Sequence, residues 1–272
     1  MTWILEPLAY QFMQRGLLAS VIVGVLCAVM GTYVVLRGMA FLGDAMAHAI
    51  LPGVAIAYIF RGDLLIGAGV AAVVVALIIG LFSREGVVKE DTAIGIMFAA
   101  ALSLGVALIS SMQTYAVDLS HILFGDVLGV SKMDLWLIAG LSLAILLTVV
   151  LLFKPFLVIS FDPVLAATLR LPAELLRNLM LVLLALTVVD SLQTVGVSLA
   201  AAMLVTPAAT AYLLTRRLLP MMLVSASIGA VSSVIGLYLS YYLNIVSGSA
   251  IVLTATLFFL LAFGWKRMRG AN

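Results

Sequence analysis

The chain has 272 residues, of which 65% are hydrophobic and 10% are charged, and its mean hydropathy is +1.30. Soluble domains carry about 25% charged residues, so this composition excludes an ordinary soluble protein and indicates a polytopic membrane protein. The net charge of +2 is too small to indicate a nucleic-acid partner, and a single cysteine excludes a disulfide framework.

Nine apolar stretches are long enough, or nearly so, to cross a hydrocarbon core of about 30 Å as helices. In chain order they lie at about 14–36, 41–60, 64–82, 92–111, 134–153, 178–195, 196–215, 221–243 and 249–265. The sequence therefore predicts an all-α integral membrane protein, a single transmembrane domain over residues 1–272, with about eight or nine transmembrane helices. The count depends on the boundary at 195/196, because the two stretches that it separates are nearly continuous.

The basic residues predict the orientation of these helices. If the nine stretches alternate, three basic residues (Arg15, Arg61 and Lys132) lie on one side. The other side then carries Arg37, Arg84, Lys89, Lys154, Arg170, Arg177, Arg216, Arg217, Lys266, Arg267 and Arg269. Positive charge marks the cytoplasmic side, so we expect a cytoplasmic C-terminus and an N-terminus outside.

The second stretch contains the motif FLGDAMAHAILPG, with Asp44 and His48 four residues apart. On a helix, that spacing places both side chains on one face. Ionisable groups inside a membrane are costly and mark functional sites, and a carboxylate and an imidazole both bind divalent first-row metals. One such pair supplies too few ligands for a closed site, whereas a two-fold homodimer would supply two of each. A hydrogen-bonded pair that fixes helix packing and a proton relay are the alternatives that the spacing leaves open.

Three connecting segments are longer than turns. The first, 83–91, is predicted to be a solvated charged loop, and the second, 111–134, a short re-entrant or interfacial helix. In the second, His121 and Asp126 are five residues apart, a poor spacing for one helix face, so interfacial polar roles are favoured for both.

The third connecting segment, 154–178, is predicted to be cytoplasmic. Pro163 and Pro172 suit the first turns of short helices, and Asp162 suits the preceding N-cap. Such a segment is a good docking surface for another protein, with a membrane-surface anchor as the alternative.

Two further residues interrupt apolar stretches. Asp190 faces either the transport pathway or the outer end of its helix, and Pro207 is expected to kink its helix. The sequence contains neither GxxxxGK nor HExxH, so ATP-driven transport would need another chain to bind ATP, and a zinc-protease function is excluded.

Four motifs, in order, resemble those of the membrane permeases of ATP-driven zinc/manganese/iron importers. They are FLGDAMAHAILPG, DTAIGIMF (91–98), HILFGDVLG (121–129) and LQTVGVSLAAAMLVTPAATAYLLT (192–215), and the resemblance covers essentially the whole chain. The last motif is most similar to the manganese- and iron-importing branch.

This resemblance implies a homodimeric or pseudo-dimeric permease, surrounded by lipid in the cytoplasmic membrane of a bacterium. It implies two cytoplasmic ATP-binding subunits and an extracytoplasmic metal-binding protein as partners. It also implies that the chain is a transport subunit and not an enzyme, with no permanently bound cofactor.

The same resemblance assigns roles to residues. The metal residues would be Asp44 and His48, with Mn²⁺, Fe²⁺ or Zn²⁺ as the transported ion. The ATPase-coupling segment would match 161–176, where Asp162, Pro163, Arg170 and Glu174 are the candidate coupling residues. The alternative function is a secondary divalent-cation carrier driven by an ion gradient.

Overall fold

The computed structural model describes residues 6–84, 88–111, 127–192 and 196–270. All regular secondary structure in these ranges is helical, which confirms the predicted all-α class. The α-helices are α1 Gln11–Leu36, α2 Leu42–Ala49, α3 Leu51–Ile59, α4 Leu64–Phe82, α5 Glu90–Ser110, α6 Lys132–Leu151, α7 Phe153–Phe161, α8 Pro163–Thr168, α9 Ala173–Leu192, α10 Val197–Leu214, α11 Leu218–Leu243 and α12 Ser247–Gly270.

Within the described residues, eight segments are long and apolar enough to cross a membrane, counting α2 and α3 as one interrupted segment. The remaining predicted stretch, 196–215, corresponds to α10, which is 18 residues long and therefore spans about 27 Å. The prediction of eight or nine membrane helices is confirmed. Since α9 ends at Leu192 and α10 begins at Val197, the two stretches on either side of 195/196 form separate helices.

The segment that carries Asp44 and His48 is interrupted at Ile50, where α2 ends and α3 begins. Pro52 lies in the first turn of α3 and has no N–H group. A continuous helix would direct that missing N–H to the carbonyl of His48, four residues earlier. The proline therefore explains why the helix breaks directly after the Asp44–His48 pair.

Close backbone contacts hold α1 in the centre of the bundle. A Cβ atom at Gly31 would overlap the carbonyl of Leu204 on α10, and one at Gly24 would lie 2.9 Å from the carbonyl oxygen of Gly229 on α11. Small residues at such positions let helix backbones approach in lipid. Gly24 and Gly31 therefore serve the close packing of α1 against α11 and α10.

The helices differ in how far their own chain covers them. About two-thirds of the apolar windows of α1, α2–α3 and α9 is buried, against 22% for α5 and α6. The helix with the Asp44–His48 pair is thus an inner helix, and α5 beside it has a broad uncovered face. Pro207 lies within α10, which continues through it as a single helix.

Candidate functional site

Asp44 and His48 lie in the first and last turns of α2, on the same face of the helix as the spacing predicts. The Nε2 atom of His48 lies 3.8 Å from the Oδ1 atom of Asp44. This distance is too long for a hydrogen bond, so the structure does not show the hydrogen-bonded pair that the spacing alone allowed. The His48 side chain is 26% exposed and the Asp44 side chain is 42% exposed, so both remain open to a ligand.

Residues from two other motifs surround the pair. The His48 ring meets Phe98 of α5 edge to face, with 5.5 Å between ring centroids, and Phe98 meets Phe41 in the same way at 5.4 Å. On another side of α2, a methyl group at Gly43 would lie only 3.1 Å from the Cα of Ala201 on α10. Three of the four sequence motifs therefore meet at α2.

The geometry of the pair fits shared contact with one cation. Nitrogen and oxygen ligands lie about 2.0–2.2 Å from a bound transition metal, so two atoms on one ion are at most about 4.4 Å apart. The 3.8 Å separation of Nε2 and Oδ1 falls within that limit. Among the described residues, no third His, Cys, Asp or Glu joins them in a metal-binding group. The described part of one chain therefore offers two donors.

The predicted docking segment, 154–178, folds into α7, α8 and the start of α9. Asp162 is the N-cap of α8, accepting a 2.9 Å hydrogen bond from the backbone N–H of Leu165, and Pro163 is the first residue of that helix. Both predictions are confirmed, whereas Pro172 lies directly before α9 rather than within its first turn. Arg170 has a φ of 51° and closes the turn between α8 and α9.

The docking segment presents an apolar surface to its surroundings and is held to the bundle by a buried contact with α1. Phe156 of α7 is fully buried and packs edge to face on Tyr33 of α1 at 5.8 Å. Large apolar side chains nevertheless remain exposed along the segment: Phe161, Val164, Leu165, Leu169 and Leu175. Glu174 pairs with Arg84 at 3.1 Å across to the end of α4.

A buried polar cluster that the sequence did not predict lies at the end of the docking segment, where α9 meets α1 and α4. Arg37, directly after α1, pairs with Glu90 at the start of α5 at 3.0 Å, and their side chains are only 14% and 19% exposed. Burial lowers the pKa of Arg37, an effect that the charge of Glu90 opposes. Arg177 of α9 donates hydrogen bonds to the carbonyls of Ser83 and Gly80, at 3.1 and 3.0 Å.

The sequence alone assigned Glu90 to a solvated loop, and that interpretation is wrong for this residue. Glu90 is the first residue of an apolar helix, and the next residue, Asp91, is exposed. The sequence pattern does not indicate which of these two acidic side chains turns inward. The distribution of basic residues placed Arg37 and Arg177 on the cytoplasmic side of the membrane but did not predict that they are partly buried. A buried pairing between residues 53 positions apart has no local signal.

Asp190 forms an interhelical contact and, among the described residues, does not join Asp44 and His48 in a metal-binding group. It is 4% exposed and accepts a 2.6 Å hydrogen bond from the hydroxyl of Ser142 on α6. Its place in the last turn of α9 agrees with the helix-end alternative. His121 and Asp126 lie outside the described residues.

Comparison with known proteins identifies relatives over nearly the full chain. Residues 9–266 match the family model described as "ABC 3 transport family". The manganese transport system membrane protein MntC of Halalkalibacterium halodurans is 47% identical over 97% of this chain and 91% of its own length. A probable iron transport system membrane protein of Haemophilus influenzae is 40% identical over 98% of both chains. The fold matches PsaBC from Streptococcus pneumoniae, solved in complex with Fab, with a TM-score of 0.84, 42% identity and coverage of 96% and 94%.

Proposed function

The chain belongs to the ABC 3 transport family and is the membrane permease subunit of an ABC importer, and we propose that it carries Mn²⁺, with Fe²⁺ as the second candidate. The names of its relatives support this order, because manganese permeases are 47% and 44% identical to the chain and the probable iron permease is 40% identical. A permease moves its cargo and is not itself an enzyme.

The observation that carries the proposal is the 3.8 Å separation of His48 Nε2 and Asp44 Oδ1 on an inner helix. Each atom replaces part of the hydration shell of the ion as it crosses, and neither acts as a catalyst. An imidazole and a carboxylate suit Mn²⁺, Fe²⁺ and Zn²⁺, so the donor set accepts all three ions. A transport site must also release its ion, and coordination positions filled by water keep such a site open, unlike a closed structural site.

We infer that two copies of the chain form the pathway. One copy offers Asp44 and His48, and a two-fold axis beside α2 would add the same two donors from the partner. The uncovered face of α5 supports this arrangement, because Phe98 on that helix already borders His48. Water completes the coordination of the ion.

Energy enters through other subunits in this proposal. The sequence has no GxxxxGK motif, so another chain must bind the ATP of this ABC importer. We propose that two cytoplasmic ATP-binding subunits dock on segment 154–178 and that an extracytoplasmic metal-binding protein delivers the ion. Exposed apolar side chains such as Val164 and Leu169 supply the contact, and Asp162 and Pro163 fix the start of α8 that presents them. The membrane is the bacterial cytoplasmic membrane, with the C-terminus inside.

In this proposal, a movement of the docking segment reaches the ion through contacts between neighbouring helices. Arg177 joins α9 to the end of α4, and the Arg37–Glu90 pair joins α1 to the start of α5. Helix α5 then carries Phe98, which contacts the His48 ring. ATP-driven closure of the docked subunits would thereby change the environment of His48 and open the cytoplasmic side.

The test is uptake of radioactive manganese by proteoliposomes that contain the chain and its ATP-binding subunits. We expect uptake that requires ATP and that iron reduces more strongly than zinc when each competes. A secondary carrier is the alternative, and it would take up manganese without the ATP-binding subunits and would follow an imposed ion gradient. Glu174→Lys and Arg170→Glu should each weaken co-purification of the ATP-binding subunits, whereas a membrane-surface anchor would leave their recovery unchanged.

A further inference from the structure

The charges of the last three helices differ from those of the rest of the chain. Residues 191–272 contain no Asp or Glu, yet they contain five Lys or Arg residues. The four whose side chains are described are all exposed and make no ion pair within the described residues, and we call them the basic cluster: Arg216, Arg217, Lys266 and Arg267. Elsewhere at this end of the bundle, Arg37 and Arg84 each pair with a glutamate.

The fold brings the members of the basic cluster to a similar level at one end of the bundle. Helices α11 and α12 form an antiparallel hairpin in which a Cβ at Gly236 would overlap the backbone of Ile251. From that contact, the antiparallel register places Lys266 and Arg267 beside Met221 and Pro220. They therefore lie within about 6 Å, measured along the helix axis, of the level of Arg217.

The start of α11 adds a further positive feature to the cluster. Arg217 is the N-cap residue of this 26-residue helix, and its side chain makes no capping hydrogen bond. Because Pro220 has no N–H and the Met221 N–H bonds to the carbonyl of Arg217, the N–H groups left at this helix start are those of Leu218 and Leu219. Free N–H groups at a helix N-terminus, together with the helix dipole, favour phosphate and other anions. The cluster thus combines exposed cations with an uncapped helix end.

Apolar side chains surround the basic cluster on the same helices. Leu214, Leu219, Trp265 and Met268 are each about half exposed or more. Cations that alternate with exposed apolar groups at the end of membrane-crossing helices match a phospholipid, which has an anionic headgroup and acyl chains. An acidic protein surface would match the cations alone, and the apolar docking surface lies on α7, α8 and α9.

We propose that the basic cluster binds the headgroup phosphate of an anionic phospholipid, with its acyl chains against Leu219 and Met268. Bound lipid offsets part of the positive charge of the four neighbouring cations and joins the end of α10 to the start of α11 and the end of α12. The proposal needs only that these helices cross a membrane. It depends neither on the cargo nor on the orientation of the chain.

The test measures lipid association by electron paramagnetic resonance, with the full chain in phosphatidylcholine nanodiscs that contain spin-labelled phosphatidylglycerol or spin-labelled phosphatidylcholine. We expect the wild type to immobilise the phosphatidylglycerol probe preferentially. Each cation removed should reduce that preference about fivefold, since one Lys or Arg near an anionic lipid contributes about 1 kcal/mol. The variants are Arg216→Gln/Arg217→Gln and, separately, Lys266→Gln/Arg267→Gln, so that one remains informative if the other fails to fold.

Two controls accompany these variants. Arg216→Lys/Arg217→Lys keeps the charge and should keep the preference. Arg61→Gln/Lys132→Gln removes two exposed cations elsewhere in the chain and should leave the preference unchanged. Equal immobilisation of both probes by the wild type would overturn the proposal. So would a glutamine variant that keeps its preference for phosphatidylglycerol but loses the ATP-binding subunits, because the cluster would then bind an acidic protein.

Discussion

The Nε2 atom of His48 and the Oδ1 atom of Asp44 lie 3.8 Å apart on one face of α2, directly before the helix breaks at Ile50. No hydrogen bond joins them, and both side chains remain partly exposed, as the proposed contact with a transported ion requires. If both contact the transported ion, removing either one removes half of what the chain contributes.

Asp44→Asn and His48→Gln each keep approximate size while weakening or removing a metal donor. Each should lower manganese uptake by more than about tenfold, since losses of this size follow even from altering groups that only support a metal ligand. The measurement is initial uptake per complex in proteoliposomes, and the amount of assembled complex should not change. Uptake at the wild-type rate in both variants would remove Asp44 and His48 from the pathway.

Phe98→Leu tests whether the ring beside His48 positions the imidazole. An edge-to-face contact contributes about 0.5–1.5 kcal/mol, so we expect the KM for manganese uptake to rise between about twofold and tenfold. The matched control is Phe263→Leu, which removes one ring of the stacked Phe259–Phe263 pair on α12. An equal change in both variants would indicate a general effect on the fold.

Gly31→Ala tests the central contact between α1 and α10. The new Cβ would overlap the Leu204 carbonyl, and overpacking of this kind costs about 1–3 kcal/mol. The melting temperature of the purified protein in detergent should therefore fall. Gly69→Ala is the control, because open space surrounds Gly69 on α4, and alanine is the better helix former there. If both variants have the same melting temperature, close packing at Gly31 does not stabilise the protein.

Glu90→Gln leaves Arg37 buried without its counter-charge. Breaking a buried pair is strongly destabilising, by about 3–5 kcal/mol, so the variant should unfold at a clearly lower temperature. The exposed Arg84–Glu174 pair is the comparison, and Glu174→Gln should change stability by less than about 1 kcal/mol. A similar loss from both variants would mean that burial of the Arg37–Glu90 pair has no special effect.

Asp190→Asn and Asp190→Leu separate a packing role from a transport role. Asparagine can still accept the hydrogen bond from Ser142, so uptake and stability should remain close to wild type. Leucine leaves that hydroxyl without its partner in a buried site, and stability should fall by about 1–3 kcal/mol. Abolished uptake by a stable Asp190→Asn protein would place Asp190 in the pathway instead.

The sequence predicted the features that depend on local pattern. Apolar length gave the helices, the i, i+4 spacing placed Asp44 and His48 on one face, and Asp162 before Pro163 identified the start of α8. The contacts of these residues across the bundle could not be predicted in the same way. The inward turn of Glu90 toward Arg37, the ring of Phe98 on His48 and the contact of Ser142 with Asp190 all depend on long-range packing, which leaves no periodic signal.

The most direct test of the central claim is the number of manganese ions that the purified permease binds, measured by electron paramagnetic resonance with the chain concentration known. If Asp44 and His48 of two copies share one ion, the wild type binds one Mn²⁺ per two chains, and the Asp44→Asn/His48→Gln variant binds none. Unchanged binding by the double variant, or one ion bound by each separate chain, would contradict the shared site.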